Sequence, residues 1–284
     1  MSIGPTVRRR RLGSELRRLR EAHSFKLEEA ADKLGLAAST LSRIETGKAP
    51  TRTVYLTTMF EMYGVADPGQ RQVLTEMARE GHRKGWWAVY DDILPTGFDV
   101  YVGLEAEAAA LRVFEDQVVH GLLQTEAYAR TVMTSVRRRQ GIRQIERAVE
   151  LRLQRQRVLA RPDPLKLWCI LSEPVISRMV GGPGVMREQL IHLYETSQLP
   201  NVTLQVLTLA SGVHPALNGP FCILEFPERN DPDVVYTEGV AGHAYLERDT
   251  DVRTCAEVFD LLRAAALSPA DTAELIGRTA AETV

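Results

Sequence analysis

The stretch KLEEAADKLGLAASTLSRIETGK, residues 26–48, decides how this chain is read. Leu27, Ala30, Ala31 and Leu34 fall on one side of a helix, with Glu28, Glu29 and Lys33 on the other. Gly35 stands where the chain must turn with positive φ, and Leu36 plugs the angle between two helices. A next helix over Ala38–Glu45 turns Leu41 and Ile44 inward at i, i+3 and leaves Ser39, Thr40, Ser42 and Arg43 outside. Short hydroxyls with one arginine let a helix lie close in a major groove, bond base edges and reach phosphates. Small Ala30 and Ala31 allow the two helices to approach closely.

Working outward, Leu12, Leu16 and Leu19 repeat at helical spacing among Arg17, Arg18, Arg20 and Glu21, and His23-Ser24 interrupts that helix. After the quoted stretch, Lys48 and Arg52 are placed to meet a phosphate backbone, with Arg17 as a third candidate. A fourth helix from about Arg52 to Tyr63 offers Val54, Leu56, Met59 and Phe60 to the core. The plain alternative is an ordinary helical bundle with a solvated arginine face.

The 284 residues are 44% hydrophobic and 25% charged, so disorder is excluded and two domains are expected. Formal charge is −2, which by itself speaks against a strongly basic nucleic-acid protein. The balance changes by region. Residues 1–63 hold twelve Lys/Arg against seven Asp/Glu, a net of +5, leaving −7 for the rest. A basic head on an acidic body suggests that the head meets a polyanion. Residues 137–161 carry nine arginines against Glu146 and Glu150. They read either as a solvated amphipathic helix or, at Arg137, Arg138, Arg139 and Arg143, as a dock for an acidic partner or a further DNA contact.

Three widely spaced cysteines, Cys169, Cys222 and Cys255, build neither a metal knuckle nor a local disulfide framework. Arg8 to Arg11 is followed by Leu12-Gly13-Ser14-Glu15 and more arginines, so no signal peptide is expected. The longest uncharged run, Thr196 to Leu224, is broken by Pro200, Gly212, Pro215 and Gly219-Pro220 and reads as strands and a loop rather than a membrane span. A cytoplasmic protein is expected.

Beyond a helix opened by Asp67-Pro68-Gly69 and running to about Lys84, the irregular stretch from Gly85 marks the domain boundary, giving 1–84 and 85–284. The body alternates helices (Leu104–Glu115, Thr125–Arg139, Arg143–Ala160, Pro174–Val180, Val185–Ser197, Val252–Ala266, Pro269–Thr279) with strands (Leu165–Leu171, Val202–Leu207, Phe221–Glu225, Val234–Glu238, Ala244–Leu246). The expected fold is an all-α helix-turn-helix bundle followed by an α/β or α+β domain with a mixed sheet flanked by helices. No βαβ repeat is regular enough to predict a doubly wound sheet.

Leu16 to Val65 resembles the Xre/Cro-type helix-turn-helix, through its small-residue second helix, the glycine, and Ser-x-x-Ser-Arg-Ile-Glu-x-Gly-Lys ending at Lys48. The resemblance implies base reading by Ala38, Ser39 and Arg43, and an internal ion pair between Arg20 and Glu45. It departs at Lys26-Leu27, where a polar cap and a phosphate-contacting Gln are usual, and at Ala37, which has no side chain to cap the next helix. The body resembles the DUF5753 domain of actinobacterial regulators. The resemblance is carried by Trp86 to Phe98, Leu104-Glu105, Val119-His120-Gly121-Leu122-Leu123-Gln124-Thr125-Glu126, Tyr128-Ala129-Arg130, Arg155-Gln156, Leu171-Ser172-Glu173, Asn201 to Val206 and Gly219-Pro220-Phe221. That family usually has Pro where this chain has His120. The resemblance implies a transcription regulator or an antitoxin-like protein paired with a small acidic DUF397-type partner.

No phosphate-binding glycine loop, dinucleotide fingerprint, zinc-protease helix or nucleophile elbow occurs in the sequence. Gly181-Gly182-Pro183-Gly184 reads as a turn, and Asp91-Asp92 as solvated loop residues. The expectation is therefore a non-enzymatic protein without cofactor or metal. It would bind a palindromic double-stranded DNA operator as a homodimer, with the body receiving a protein or ligand signal.

Overall fold

The computed structural model describes residues 5–81, 85–137, 140–227 and 231–283. The contacts divide the chain into two compact units, residues 1–91 with 95–107 and residues 92–94 with 108–284.

The first unit is helical: α1 (Pro5–Ala22), α2 (Leu27–Leu34), α3 (Ala38–Glu45), α4 (Thr53–Met62), α5 (Pro68–Gly81), a 3-10 turn (Trp86–Tyr90) and α6 (Phe98–Glu107). Leu12, Leu16 and Leu19 of α1 meet Ala30, Ala31, Leu34, Leu41, Ile44, Leu56, Met59 and Phe60 in one core. Val54 departs from expectation and is 68% exposed. The inward positions of α4 are Leu56, Met59, Phe60 and Tyr63, a stripe at i, i+3, i+4, i+7 from which residue 54 is rotated away.

The second unit is a six-stranded mixed sheet of order β3-β2-β1-β4-β5-β6. Its strands are β1 (Ala110–Glu115), β2 (Lys166–Ser172), β3 (Val202–Leu207), β4 (Phe221–Glu225), β5 (Val234–Gly239) and β6 (Gly242–Leu246). β1, β2 and β3 run parallel; β4, β5 and β6 form an antiparallel meander joined to β1. Between β1 and β2 lie α7 (Glu126–Val136) and α8 (Ile142–Arg155); α9 (Glu173–Ser177) and α10 (Pro183–Thr196) link β2 to β3. α11 (Asp249–Ala265) and α12 (Pro269–Glu282) end the chain, and Phe259 and Leu262 of α11 pack on Phe114, Ile170, Ile223 and Val235.

The helix expected over Leu104–Glu115 is instead the end of α6 followed, two residues later, by β1. Alanines 106 and 108–110 favour a helix locally. Pairing of residues 110–115 with Lys166–Leu171 on one side and Phe221–Glu225 on the other supplies a ladder that overrides that preference. Recovering β1 also reveals two βαβ crossovers that the pattern of the remaining strands concealed.

Candidate nucleic-acid interface

α2 ends on Gly35 at φ 65°, ψ 32°, where the amide of Leu36 donates to Ala31 O at 2.9 Å. That left-handed cap sets the angle at which α3 leaves. α3 begins without a side-chain cap at Ala37; its first turn is closed by Thr40 N to Ala37 O at 2.9 Å and Leu41 N to Ala37 O at 3.2 Å. The α2 start is capped internally, Lys26 N donating to Glu29 Oε2 at 3.0 Å. Leu27 packs against the core there, so its side chain makes no polar contact.

On α3, Leu41 and Ile44 are buried, Ser39, Thr40 and Arg43 are exposed, and Ala38 and Ser42 are half-buried. Every α3 residue expected to face DNA therefore retains accessible surface. Lys48 and Arg52, in the turn that follows, are exposed as well. Among the described residues Arg43, Lys48 and Arg52 have no side-chain partner. Arg17 is exposed but already paired, Nε to Glu21 Oε1 at 2.8 Å, a one-turn surface pair worth a few tenths of a kcal/mol.

The mounting of α3 is unusually close. Arg20 Nε and Nη2 donate to Glu45 Oε1 and Oε2 at 2.7 and 2.9 Å, a bidentate pair with both side chains below a tenth exposed. Arg20 Nη1 also donates to Phe25 O at 2.8 Å, tying α1, the α1–α2 turn and the end of α3 to one guanidinium. The hydrogen bonds that Arg20 donates to Glu45 raise the Arg20 pKa against the opposing effect of burial. Beside this pair, a Cβ on Gly13 would stand 2.6 Å from Glu45 O and 2.8 Å from its carbonyl carbon. Gly47, at φ 68°, lies equally close to the Arg10 backbone. Two glycines thus let α1 run against the C-terminal end of α3.

The charge of the head is distributed differently from its sum. Arg8 pairs with Glu80, Arg9 donates to Gly81 O, and Arg10 is 7% exposed. Burial lowers the Arg9 pKa, while Asp99 and Glu107 of α6 act to raise it. The N-terminal arginine run therefore packs within its own unit. Among the described residues, Lys26 at the start of α2 and Arg43, Lys48 and Arg52 in and just after α3 are the exposed cations of the helix-turn-helix left without a side-chain partner.

In the second unit the segment 119–125 is fastened by side chains. Gln124 Nε2 donates to Val119 O at 2.6 Å, Gln156 Nε2 to Gly121 O and Gln124 O at 3.1 and 2.7 Å, and Gln189 Nε2 to Leu123 O at 2.7 Å. Arg152 Nη1 donates to Gln124 Oε1 at 2.8 Å. His120 sits at φ −56°, a value that proline also adopts, so histidine leaves the backbone shape intact. Burial, then the nearby Arg155 and Arg152 charges, push its pKa down to about 3, and its imidazole is neutral. At the end of β1, burial pushes the Glu115 carboxyl up to about 8, with Asp116 adding to the shift.

The arginines of 137–161 are mostly engaged inside this unit. Arg137 Nη1 donates to Ile93 O at 2.9 Å, Arg147 pairs with Asp92, Arg155 is 4% exposed, and Arg161 Nη2 donates to Ala108 O at 2.6 Å. Arg138 and Arg139 lie outside the described residues. Arg143 is exposed. These internal bonds were not legible from charge counting, because a tally of arginines does not say which carbonyls lie within reach. Among the described residues, no group of three or more His, Cys, Asp or Glu side chains could hold a metal, and no helix is long and apolar enough to cross a membrane.

A family model described as a helix-turn-helix domain matches residues 11–74. A second, described as a domain of unknown function (DUF5753), matches residues 98–278. No curated protein and no solved structure matches the chain.

Proposed function

This chain belongs to the DUF5753 family, and on that premise, joined to its helix-turn-helix domain, we propose that it is a cytoplasmic transcription regulator of the Xre type. It reads a palindromic operator as a homodimer. The observation that supports this most is the set of three cations without partners, Arg43, Lys48 and Arg52, bordering the exposed hydroxyls of Ser39 and Thr40. Arg43 and Ser39 would address base edges, with Ala38, Thr40 and Ser42 close to the groove floor, while Lys48, Arg52 and Arg17 would hold phosphates. Selection from a randomised duplex pool by the purified full chain is expected to enrich a two-fold symmetric sequence. Retention of DNA without any enrichment would reject sequence reading.

A second reading, an antitoxin-like body that holds a small acidic DUF397-type protein, is supported by one observation: the exposed guanidinium of Arg143, without a partner among the described residues. Arg138 and Arg139 would complete the dock, whereas Arg137 already donates to Ile93 O and would only border it. Co-expression with such a partner should give a complex that Arg143→Glu weakens. An equally stable complex would remove this segment as the dock.

A further inference from the structure

The two edges of the sheet are treated differently. On β3 the outer edge is closed by the chain itself: Leu267 N donates to Val206 O at 2.9 Å, and Val206 N donates to Thr272 Oγ1 at 3.0 Å. Among the described residues β6, at the other end, has β5 as its single strand neighbour. Exposed edge strands are commonly guarded by charges, proline or a bulge. Residues 239–246, Gly-Val-Ala-Gly-His-Ala-Tyr-Leu, hold no Lys, Arg, Asp, Glu or Pro. The β5–β6 register runs without a bulge from Val235–Leu246 to Gly239–Gly242. Val240 at the hairpin tip is fully exposed, and Ala244 in mid-strand is exposed.

We infer that β6 is a pairing edge for a second copy of this chain, the two β6 strands running antiparallel about a two-fold axis at Ala244. The inference rests on the homodimer reading above and assigns it a surface. Self-pairing in this register sets Ala244 against Ala244 of the second copy, His243 against its Tyr245 and Gly242 against its Leu246. No like charges meet, and the small alanine at the axis lets the strands close. His243, Tyr245 and Tyr236 already form a cluster of tilted and edge-on rings, His243 lying 5.6 Å from Tyr236 and 5.4 Å from Tyr245, and the two tyrosines 5.3 Å apart. The pairing would extend that aromatic row across the axis as cross-strand His–Tyr pairs. A charge-free strand that is complementary to itself favours another copy over a charged peptide.

The test uses the position that the axis makes unique. Ala244→Lys and Ala244→Glu each place like charges directly opposite one another in the homodimer, on a side chain exposed in the single chain. Sedimentation equilibrium of the full-length protein at low salt should show wild type as a dimer. Each variant should dissociate about tenfold or more readily. An equimolar mixture should regain the wild-type dimer constant within a few-fold, because Lys then faces Glu; recovery on mixing also shows that both variants are folded. Wild-type protein that sediments as a monomer would overturn both the dimer reading and its surface. A wild-type dimer that neither variant weakens would keep the dimer and overturn the β6 edge. Variants that dissociate without recovery on mixing would overturn the register.

Discussion

Glu45→Ala is expected to unfold much of the helix-turn-helix, because it leaves the Arg20 guanidinium buried beside Leu19 and Phe25 O with its bidentate partner gone. Removing one member of a buried ion pair costs about 3–5 kcal/mol, most of it from the uncompensated charge. Small domains hold only about 5–15 kcal/mol in all, so the loss is a large share. Replacing both partners, Arg20→Met with Glu45→Leu, removes the charge together with its partner and should recover much of the stability. Amide hydrogen exchange in α3 is the suitable readout, since it reports this unit separately from the sheet. Slow exchange retained in Glu45→Ala would show that the pair is dispensable.

The second large effect is expected at Gly13, and its sign is opposite to the usual one. A helical Gly→Ala change ordinarily stabilises by roughly 0.5–1 kcal/mol, through backbone entropy. At Gly13 the new methyl would meet the carbonyl oxygens of Ile44 and Glu45, which are backbone atoms and cannot rotate aside. Overpacking of this kind costs about 1–3 kcal/mol and more where backbone must move. The accommodation would come from α1 and the C-terminal end of α3 moving apart, so DNA affinity should fall further than stability. Gly277 of α12 is the internal control. A Cβ there makes only ordinary contact, 3.9 Å from the Tyr194 ring. Gly277→Ala should stabilise while Gly13→Ala destabilises; equal behaviour of the two would show that α1 does not constrain α3.

These two sites also mark what the sequence could and could not disclose. The helix over residues 38–45 was legible with both ends intact, because the left-handed Gly35 stops α2 and Thr46-Gly47 closes α3. The apolar period predicted Leu41 and Ile44 inside and Ser39 and Arg43 outside. Gly13, by contrast, sits mid-helix with no pattern to distinguish it, and its requirement comes from Ile44 and Glu45, at the far end of a helix two elements later in the chain. β1 was hidden for a similar reason: its alanine-rich approach speaks for helix, and only its two strand neighbours decide otherwise. Val54 lies inside a correctly placed helix and is still exposed, because the buried stripe of Leu56, Met59, Phe60 and Tyr63 turns it away from the core. Charge counting exposed the basic head, yet it could not tell that Arg8, Arg9 and Arg10 turn inward while Arg43, Lys48 and Arg52 stay open.

Whether the open cations of α3 and its following turn read sequence or only hold phosphates is decided by DNA binding. Binding of wild type and Arg43→Ala is compared on the selected duplex and on a scrambled duplex of the same length, each at two salt concentrations. Arg43→Ala should lose about 1–3 kcal/mol of preference for the selected sequence while its affinity for scrambled DNA and its salt slope change little, because Lys48 and Arg52 still hold phosphates. Equal losses on both duplexes would contradict base reading by α3.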